Sequence, residues 1–266
     1  MKEEVAVRVL SEVKSVIDEE KIRCWLDCGG LLGAVRDGKL IPCDTDIDLS
    51  ILHRHTRKLL QQIPVFQRKG FSTWVHCNNI TLVKNEIPIT FGCFQPENDV
   101  YFHIDWPCLN FFEREIEFWK SEYRYGVQIF HDIATYRELQ SIPPNRLAKI
   151  AYYATTPQVP RWLVRKTFIG LWKLLGGEYF VYAVPKGFYD NLESVTFYGM
   201  EFKAPCPVED YLAFKYGNWE VPDRSWDIWS DDGAIVARGT PKDSKIAEKM
   251  FNPWLSLKDL TDSDER

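Results

Sequence analysis

The sequence predicts an α+β fold, with a mixed β-sheet core flanked by helices and then a mostly helical C-terminal half. Three observations carry that prediction. The chain opens with apolar residues at helical spacing. Residues from about 65 to 130 form short β-rich runs separated by Asn, Pro and Gly. Beyond 135 the texture changes to longer helical runs with prolines and aromatics. The 266 residues, 45% hydrophobic and 14% aromatic, suffice for a real core. We expect one domain over 1–266, with a catalytic core over 1–135 and a helical part over 136–266 whose tail frays from about 257.

Each element has a local reason. Val5, Val9, Val13, Val16 and Ile17 recur on one helical face while Glu and Lys fill the other, so an amphipathic helix comes first. "IRCWLDC" reads as a short strand running into Gly29-Gly30, and "LLGAVRDG" as one or two helical turns closed by Gly38. Pro42 breaks the chain before "TDIDLSIL", where Asp46, Asp48 and Ser50 alternate with Ile47, Leu49 and Ile51 at period two. "HTRKLLQQI" is helical. "FSTWVHC", "ITLVKN", "IPITFGCF" and "VYFHIDWPCLNFF" supply further strands. "NRLAKIAYYATT", "PRWLVRKTFIGLWKLLGG" and "PVEDYLAFKYGNWEVP" read as helices, with a last short helix near 244.

Bulk properties narrow the function. A formal net charge of -5 gives no overall positive field to gather nucleic acid, so a small activated metabolite is the expected partner. The cysteines at 24, 28, 43, 77, 93, 108 and 206 are odd in number, scattered and without a C-x-x-C pair. This suits a reducing compartment, and a soluble cytoplasmic protein is expected, since no signal peptide or membrane span is visible. Cys24, Cys28, His76 and Cys77 match no common zinc spacing and read as structural thiols.

The densest chemistry lies between residues 27 and 52. In a strand, residues two apart share a face at about 6.6 Å, so Asp46 and Asp48 point the same way. Asp44 joins them if the strand starts early. Carboxylates at that spacing can straddle two metal ions about 3.5–4 Å apart, which clamp both oxygens of a phosphoryl transfer. The plainer reading is the charged wet face of an edge strand. Gly29 and Gly30 at a strand-to-helix turn are a ready phosphate seat, and Arg36 carries a planar fork for the same anion; a plain tight turn is the alternative. Asp105 in "VYFHIDWPCL" stands among apolar neighbours, either as a third carboxylate or as a strand-end aspartate before the Pro107 turn.

These residues carry a resemblance. "GGLLGAVRDGKLIPCDTDIDLSI" resembles the signature of the LicD/fukutin family, part of the DNA polymerase β-like nucleotidyltransferase superfamily. "YFHIDWPCL" is similar to that family's later I-D-x-F-P run, and "VTFYGMEFKAPCPVEDYLAFKYGNWEVP" to its closing region. The resemblance implies a nucleotidyltransferase-like core. It also implies transfer of a phospho-substituent, such as phosphocholine or ribitol phosphate, from a CDP-activated donor to a hydroxyl of a glycan or glycolipid. It further implies that Asp46, Asp48 and Asp105 hold two Mg²⁺ or Mn²⁺ ions, with Asp44 as a lesser ligand, while Gly29, Gly30 and Arg36 hold donor phosphates. Three positions depart from the family: Gly30 replaces its Ser or Thr, Cys28 its glycine and Cys43 its tryptophan.

Two rival readings stand beside this one. Cys28-x-Gly30-x-x-Gly33 is one glycine short of a dinucleotide fingerprint, so a Rossmann NAD(P)-dependent oxidoreductase is the first. A non-catalytic interaction protein on the same fold is the second. The helix over 160–175, with Arg161, Arg165, Lys166 and Lys173 on one side, reads either as a sheet-covering helix or as a peripheral membrane contact.

Overall fold

The computed structural model describes residues 2–42, 44–76, 79–105 and 179–239. The chain divides into two compact units: Met1–Trp74, Asn78–His103 and Tyr182–Val236 make one, and Val75–Cys77, Ile104–Val181 and Ala237–Arg266 the other. Most of the second falls outside the described residues. The first holds every candidate site residue whose side chain is described.

Helix α1 (Glu3–Glu19) buries Ala6, Val9, Leu10, Val13, Val16 and Ile17, so four of the five predicted stripe residues are buried, Val5 is half-buried, and Ala6 and Leu10 widen the stripe. Glu3 and Glu4 in its first turn suit the positive end of the helix dipole. The chain then enters β1 (Cys24–Leu26), which pairs antiparallel with β2 (Ile47–Leu52), Leu26 opposite Leu49 and Cys24 opposite Ile51. Strand β2 in turn pairs parallel with β5 (Ile87–Glu97), Asp48 opposite Thr90. It is therefore an interior strand, so its aspartates are not the wet face of a sheet edge. An antiparallel β1 and β2 also exclude the Rossmann reading, which needs those first two strands parallel.

Strand β5 organises the rest of the sheet. Its other side pairs antiparallel with β4 (Asn79–Lys84), and its last residues pair with β6 (Val100–Asp105). β3 (Ser72–His76) pairs with β4. The main path runs β1-β2-β5-β6-β7-β10, where β7 is Tyr179–Pro185 and β10 is Ile235–Gly239. A separate hairpin joins β8 (Leu192–Phe197) to β9 (Met200–Pro205). Its turn residues Tyr198 and Gly199 both have positive φ, 49° and 73°, the geometry that matches the twist of a two-residue hairpin.

Short helices lie between the strands: α2 (Cys28–Leu32), continued by a π turn over Gly33–Asp37, then α3 (His53–Gln61) and α4 (Ile63–Arg68). Later come α5 (Lys186–Asp190), α6 (Val208–Tyr216) and α7 (Ile228–Asp231). The observed class is α+β with a mixed sheet, as expected.

Two expectations need correction. The β-rich stretch begins later than 65, because Pro64 sits in the first turn of α4, where a missing N–H costs nothing. A mostly helical C-terminal half does not hold over residues 179–239, where β7 to β10 outweigh three short helices. "YFVYAVP" and "LESVTF" carry β-branched and aromatic residues suited to strands. The expected helix over 160–175, the helix near 244 and the frayed tail lie outside the described residues.

Candidate functional site

The glycine-rich turn is set by Asp27, which ends β1 and caps α2. Its Oδ1 accepts from the Cys28 amide at 2.8 Å, satisfying one of the first-turn donors that have no acceptor within a helix. Helix α2 thus starts at Cys28, and Gly29 and Gly30 lie inside its first turn rather than before it. Cys28 holds φ at 47°, a left-handed conformation that favours glycine, which is what the resembling family carries there.

Both glycines are closely approached. A Cβ on Gly29 would fall 2.0 Å from Asp44 Oδ2, so the Asp44 carboxylate lies directly against this turn. A Cβ on Gly30 would come 3.1 Å from Leu26 Cδ1 and 3.6 Å from the Asp48 carbonyl, which places the turn on the β2 backbone. The Asp27 amide donates to that same carbonyl at 3.1 Å, and the Leu31 amide donates to the Asp27 carbonyl at 3.0 Å. Turn and strand are tied through residue 27.

The aspartates gather beside this turn. Asp46 is half-buried in the bend ahead of β2, and Asp48 is half-buried in the strand. Burial, and then the negative charges of Asp46, Asp44 and Asp27, push the Asp48 carboxyl well above the ordinary carboxylate value, with Lys215 pulling the other way. Burial likewise raises Asp44, against a hydrogen bond from the Thr45 amide at 3.2 Å. Among the described residues no group donates a hydrogen bond to the Asp48 carboxylate.

Asp27 has the opposite environment. It is 1% exposed, and its Oδ2 accepts from Ser50 Oγ at 2.6 Å and Tyr189 Oη at 3.3 Å, while Oδ1 accepts from Tyr211 Oη at 2.5 Å besides the Cys28 amide. Hydrogen bonds to an ionised group are worth about 1.5–3 kcal/mol each, so the network compensates the burial of that charge. Tyr189 and Tyr211 are pushed well above the ordinary tyrosine value, first by burial and next by Asp27, and so stay protonated donors. Lys215, on α6, is buried and salt-bridged to Asp232 at 2.6 Å. Its charge is also felt at Cys28 and Asp48.

Of the residues singled out in the sequence, Gly29, Gly30, Asp44, Asp46 and Asp48 come together. Arg36 lies in the π turn, where its fork engages Asp37 at 2.8 and 3.1 Å. Asp105 is the last residue of β6, and its side chain is outside those described. Asp27, Tyr189, Tyr211 and Lys215 were not anticipated. An aspartate directly before a glycine-containing helix start is an N-cap signal, and that signal alone could have found Asp27.

A hard divalent cation fits this donor set in its chemistry. Mg²⁺ takes one or two carboxylates and keeps water and phosphate oxygens for the rest of its octahedron. Like-charged carboxylates beside a buried Asp48 are what such a cation would relieve. Among the described residues no three His, Cys, Asp or Glu side chains converge into a closed ligand group, so Asp46 and Asp48 would form an open pair. The Cys24 and Cys93 thiols, raised to about 12 by burial, are poor metal ligands.

Comparison with known proteins bears on this site. Residues 21–142 match the family described as LicD/FKTN/FKRP, nucleotidyltransferase domain. An uncharacterized protein of Rickettsia typhi is 29% identical over 122 residues, 45% of this chain and 38% of that one. An uncharacterized protein of Rickettsia prowazekii is 32% identical over 65 residues, 24% of each chain. The chain thus spans well under half the length of these curated relatives. Among solved structures, ANT(2")-Ia in complex with adenylyl-2"-tobramycin aligns over 61% of this chain and 98% of its own, at a TM-score of 0.30 and 14% identity.

Proposed function

We propose that this chain, which carries a LicD/FKTN/FKRP nucleotidyltransferase domain over residues 21–142, is a metal-dependent transferase acting on glycoconjugates. It would move a phospho-substituent, phosphocholine or ribitol phosphate being the type, from a CDP-activated donor to a hydroxyl of a glycan or glycolipid. The observation that carries this reading is the set of Asp44, Asp46 and Asp48 gathered against the Gly29-Gly30 turn. The Asp48 carboxyl, raised by burial and by its acidic neighbours against the pull of Lys215, then adjoins a helix start whose amides can donate to phosphate.

Held by Asp46 and Asp48, Mg²⁺ or Mn²⁺ would neutralise the donor pyrophosphate. The acceptor hydroxyl oxygen attacks the phosphorus bearing the transferred group in line. The bond from that phosphorus to the bridging oxygen breaks, and CMP leaves with the electron pair. The hydroxyl proton passes to a carboxylate of the site. The amides of Gly29 and Gly30, in the first turn of α2, would hold donor phosphate oxygens. Among the described residues no helix is long and apolar enough to cross a membrane.

The test is a thermal-shift screen of CDP-choline, CDP-ribitol, CDP-glycerol and nucleoside triphosphates, each with Mg²⁺ or Mn²⁺. A shift with a CDP-alcohol that needs the metal, and that disappears in Asp46→Ala and Asp48→Ala, is expected. No shift with any nucleotide and metal would overturn the reading. A shift unchanged in both variants would favour a non-catalytic binding protein.

A further inference from the structure

We infer that Asp27 is a positioning residue through which Tyr189 and Tyr211, both outside the matched segment 21–142, control the glycine turn and the strand that bears Asp48. The inference rests on the site assigned above as the place where metal and nucleotide bind.

A carboxylate offers about four lone-pair positions. Asp27 spends them on four donors, two per oxygen: the Cys28 amide and Tyr211 on Oδ1, Ser50 and Tyr189 on Oδ2. Nothing is left for a metal ion or a substrate proton, which separates Asp27 from Asp46 and Asp48 despite its place beside them. Its function lies in what it joins. Ser50 is on β2 two residues from Asp48, and the Asp27 amide itself bonds the Asp48 carbonyl. Cys28 and Leu31 are in α2, and their amides bond the Asp27 side chain and carbonyl. Tyr189 ends in the same oxygen as Ser50 and also reaches Tyr211 Oη at 3.1 Å.

Residue 27 is therefore a junction of four elements: β2, α2, α5 and α6. The aromatic packing behind it is continuous. The Tyr189 ring lies 4.4 Å from Trp25, 5.2 Å from Phe94 and 5.8 Å from Tyr211 by centroid, so neither hydroxyl can move without repacking the core. Rotating the Asp27 carboxylate would break the cap at Cys28 and the tie to Ser50 together. The separation of the Gly29 amide from the Asp48 carboxylate, the two ends of a bound metal–phosphate unit, is thereby fixed through Asp27 and Ser50.

The experiment compares wild type with Asp27→Asn, Tyr211→Phe and Leu10→Ala. Asp27→Asn keeps the shape but not the charge. Tyr211→Phe removes a single hydroxyl and guards against misfolding of the first variant. Leu10→Ala, in the buried face of α1, is the stability control. Two quantities are read: amide exchange of residues 28–32 and 48–50, and affinity for CDP-choline with Mn²⁺. We expect both Asp27→Asn and Tyr211→Phe to speed exchange in those two stretches. Affinity should fall about tenfold in Asp27→Asn and roughly threefold in Tyr211→Phe, and stay at the wild-type value in Leu10→Ala.

Wild-type affinity in Asp27→Asn, or an equal loss in Leu10→Ala, would overturn the inference. If wild type binds no nucleotide with metal, the proposed function fails, and the exchange measurement decides the positioning role alone. Unchanged exchange in both Asp27→Asn and Tyr211→Phe would then refute it.

Discussion

The buried pair of Lys215 and Asp232 yields the sharpest stability prediction. Nζ lies 2.6 Å from Oδ2, with side chains 4% and 0% exposed. The ammonium also faces the rings of Tyr182 at 5.1 Å and Tyr216 at 5.8 Å, and Asp232 Oδ1 accepts from the Ala234 amide at 2.9 Å. Lys215→Met removes the cation with little change in volume and leaves Asp232 buried with that one amide. Breaking a buried pair from one side costs about 3–5 kcal/mol, which for a chain of this size is a fall in Tm of roughly 6–20 °C. Asp232→Asn should cost a similar amount. The double variant should cost less than either single, because no uncompensated charge remains. Burial alone would depress the lysine, but the acidic groups of Cys28, Asp232 and Asp27 outweigh it and hold it above its ordinary value of 10.5. The pair's contribution is therefore complete below pH 10.5 and is lost as pH rises through the higher folded value. Urea melts at neutral pH close the double-mutant cycle. A single-variant loss under about 1 kcal/mol, or a double equal to the sum, would refute the reasoning.

Three further outcomes follow from the site. Asp48→Asn removes a charge that burial and its acidic neighbours penalise, so the metal-free Tm should rise while the shift produced by Mg²⁺ is lost; melts with and without Mg²⁺ decide this. Gly33→Ala places a Cβ 2.5 Å from the Lys39 carbonyl, part of the backbone, whereas Gly29→Ala meets the end of the Asp44 side chain, which can swing away. Urea melts should show a loss of roughly 2 kcal/mol for Gly33→Ala and under about 1 kcal/mol for Gly29→Ala, and equal losses would contradict the packing argument. At Cys28, with φ at 47°, the glycine variant should be more stable than the alanine variant by about 1 kcal/mol, measured the same way.

What the sequence made legible followed from local pattern. The α1 helix and the alternation along β2 each lie within about twenty residues and are where periodicity placed them, while the Gly-Gly pair falls inside the first turn of α2 rather than before it. Long-range pairing was not readable. Tyr189 and Tyr211 reach Asp27 from 162 and 184 residues away, and nothing in "KGFYD" or "VEDYLAFKY" says which buried carboxylate their hydroxyls will meet. The strands β7 to β9 were missed for a different reason. Their runs are short, β7 and β9 end at prolines, and the hairpin turn is a Tyr-Gly pair rather than the Asn-Gly or Asp-Gly that marks such turns most strongly.

Asp27 and Asp48 show why residue type alone could not rank the carboxylates. They sit one backbone hydrogen bond apart, and both are acids beside the same turn. Asp27 is enclosed by four donors, so its charge is compensated within the protein and it serves to hold structure. Asp48 has acids as neighbours, offset in part by Lys215, and among the described residues no hydrogen-bond donor of its own, so a cation that arrives beside it would relieve its charge. A fold that meant Asp48 for structure would have given it the hydroxyls that Asp27 receives. The unequal distribution of donors between two adjacent aspartates is thus an argument for a cationic ligand at β2 that does not depend on family resemblance. It also yields a reciprocal expectation: Ser50→Ala, which removes one donor from Asp27, should weaken Mn²⁺ binding although Ser50 never touches the metal. Equal Mn²⁺ affinity in wild type and Ser50→Ala, by titration calorimetry, would show that the two carboxylates act independently.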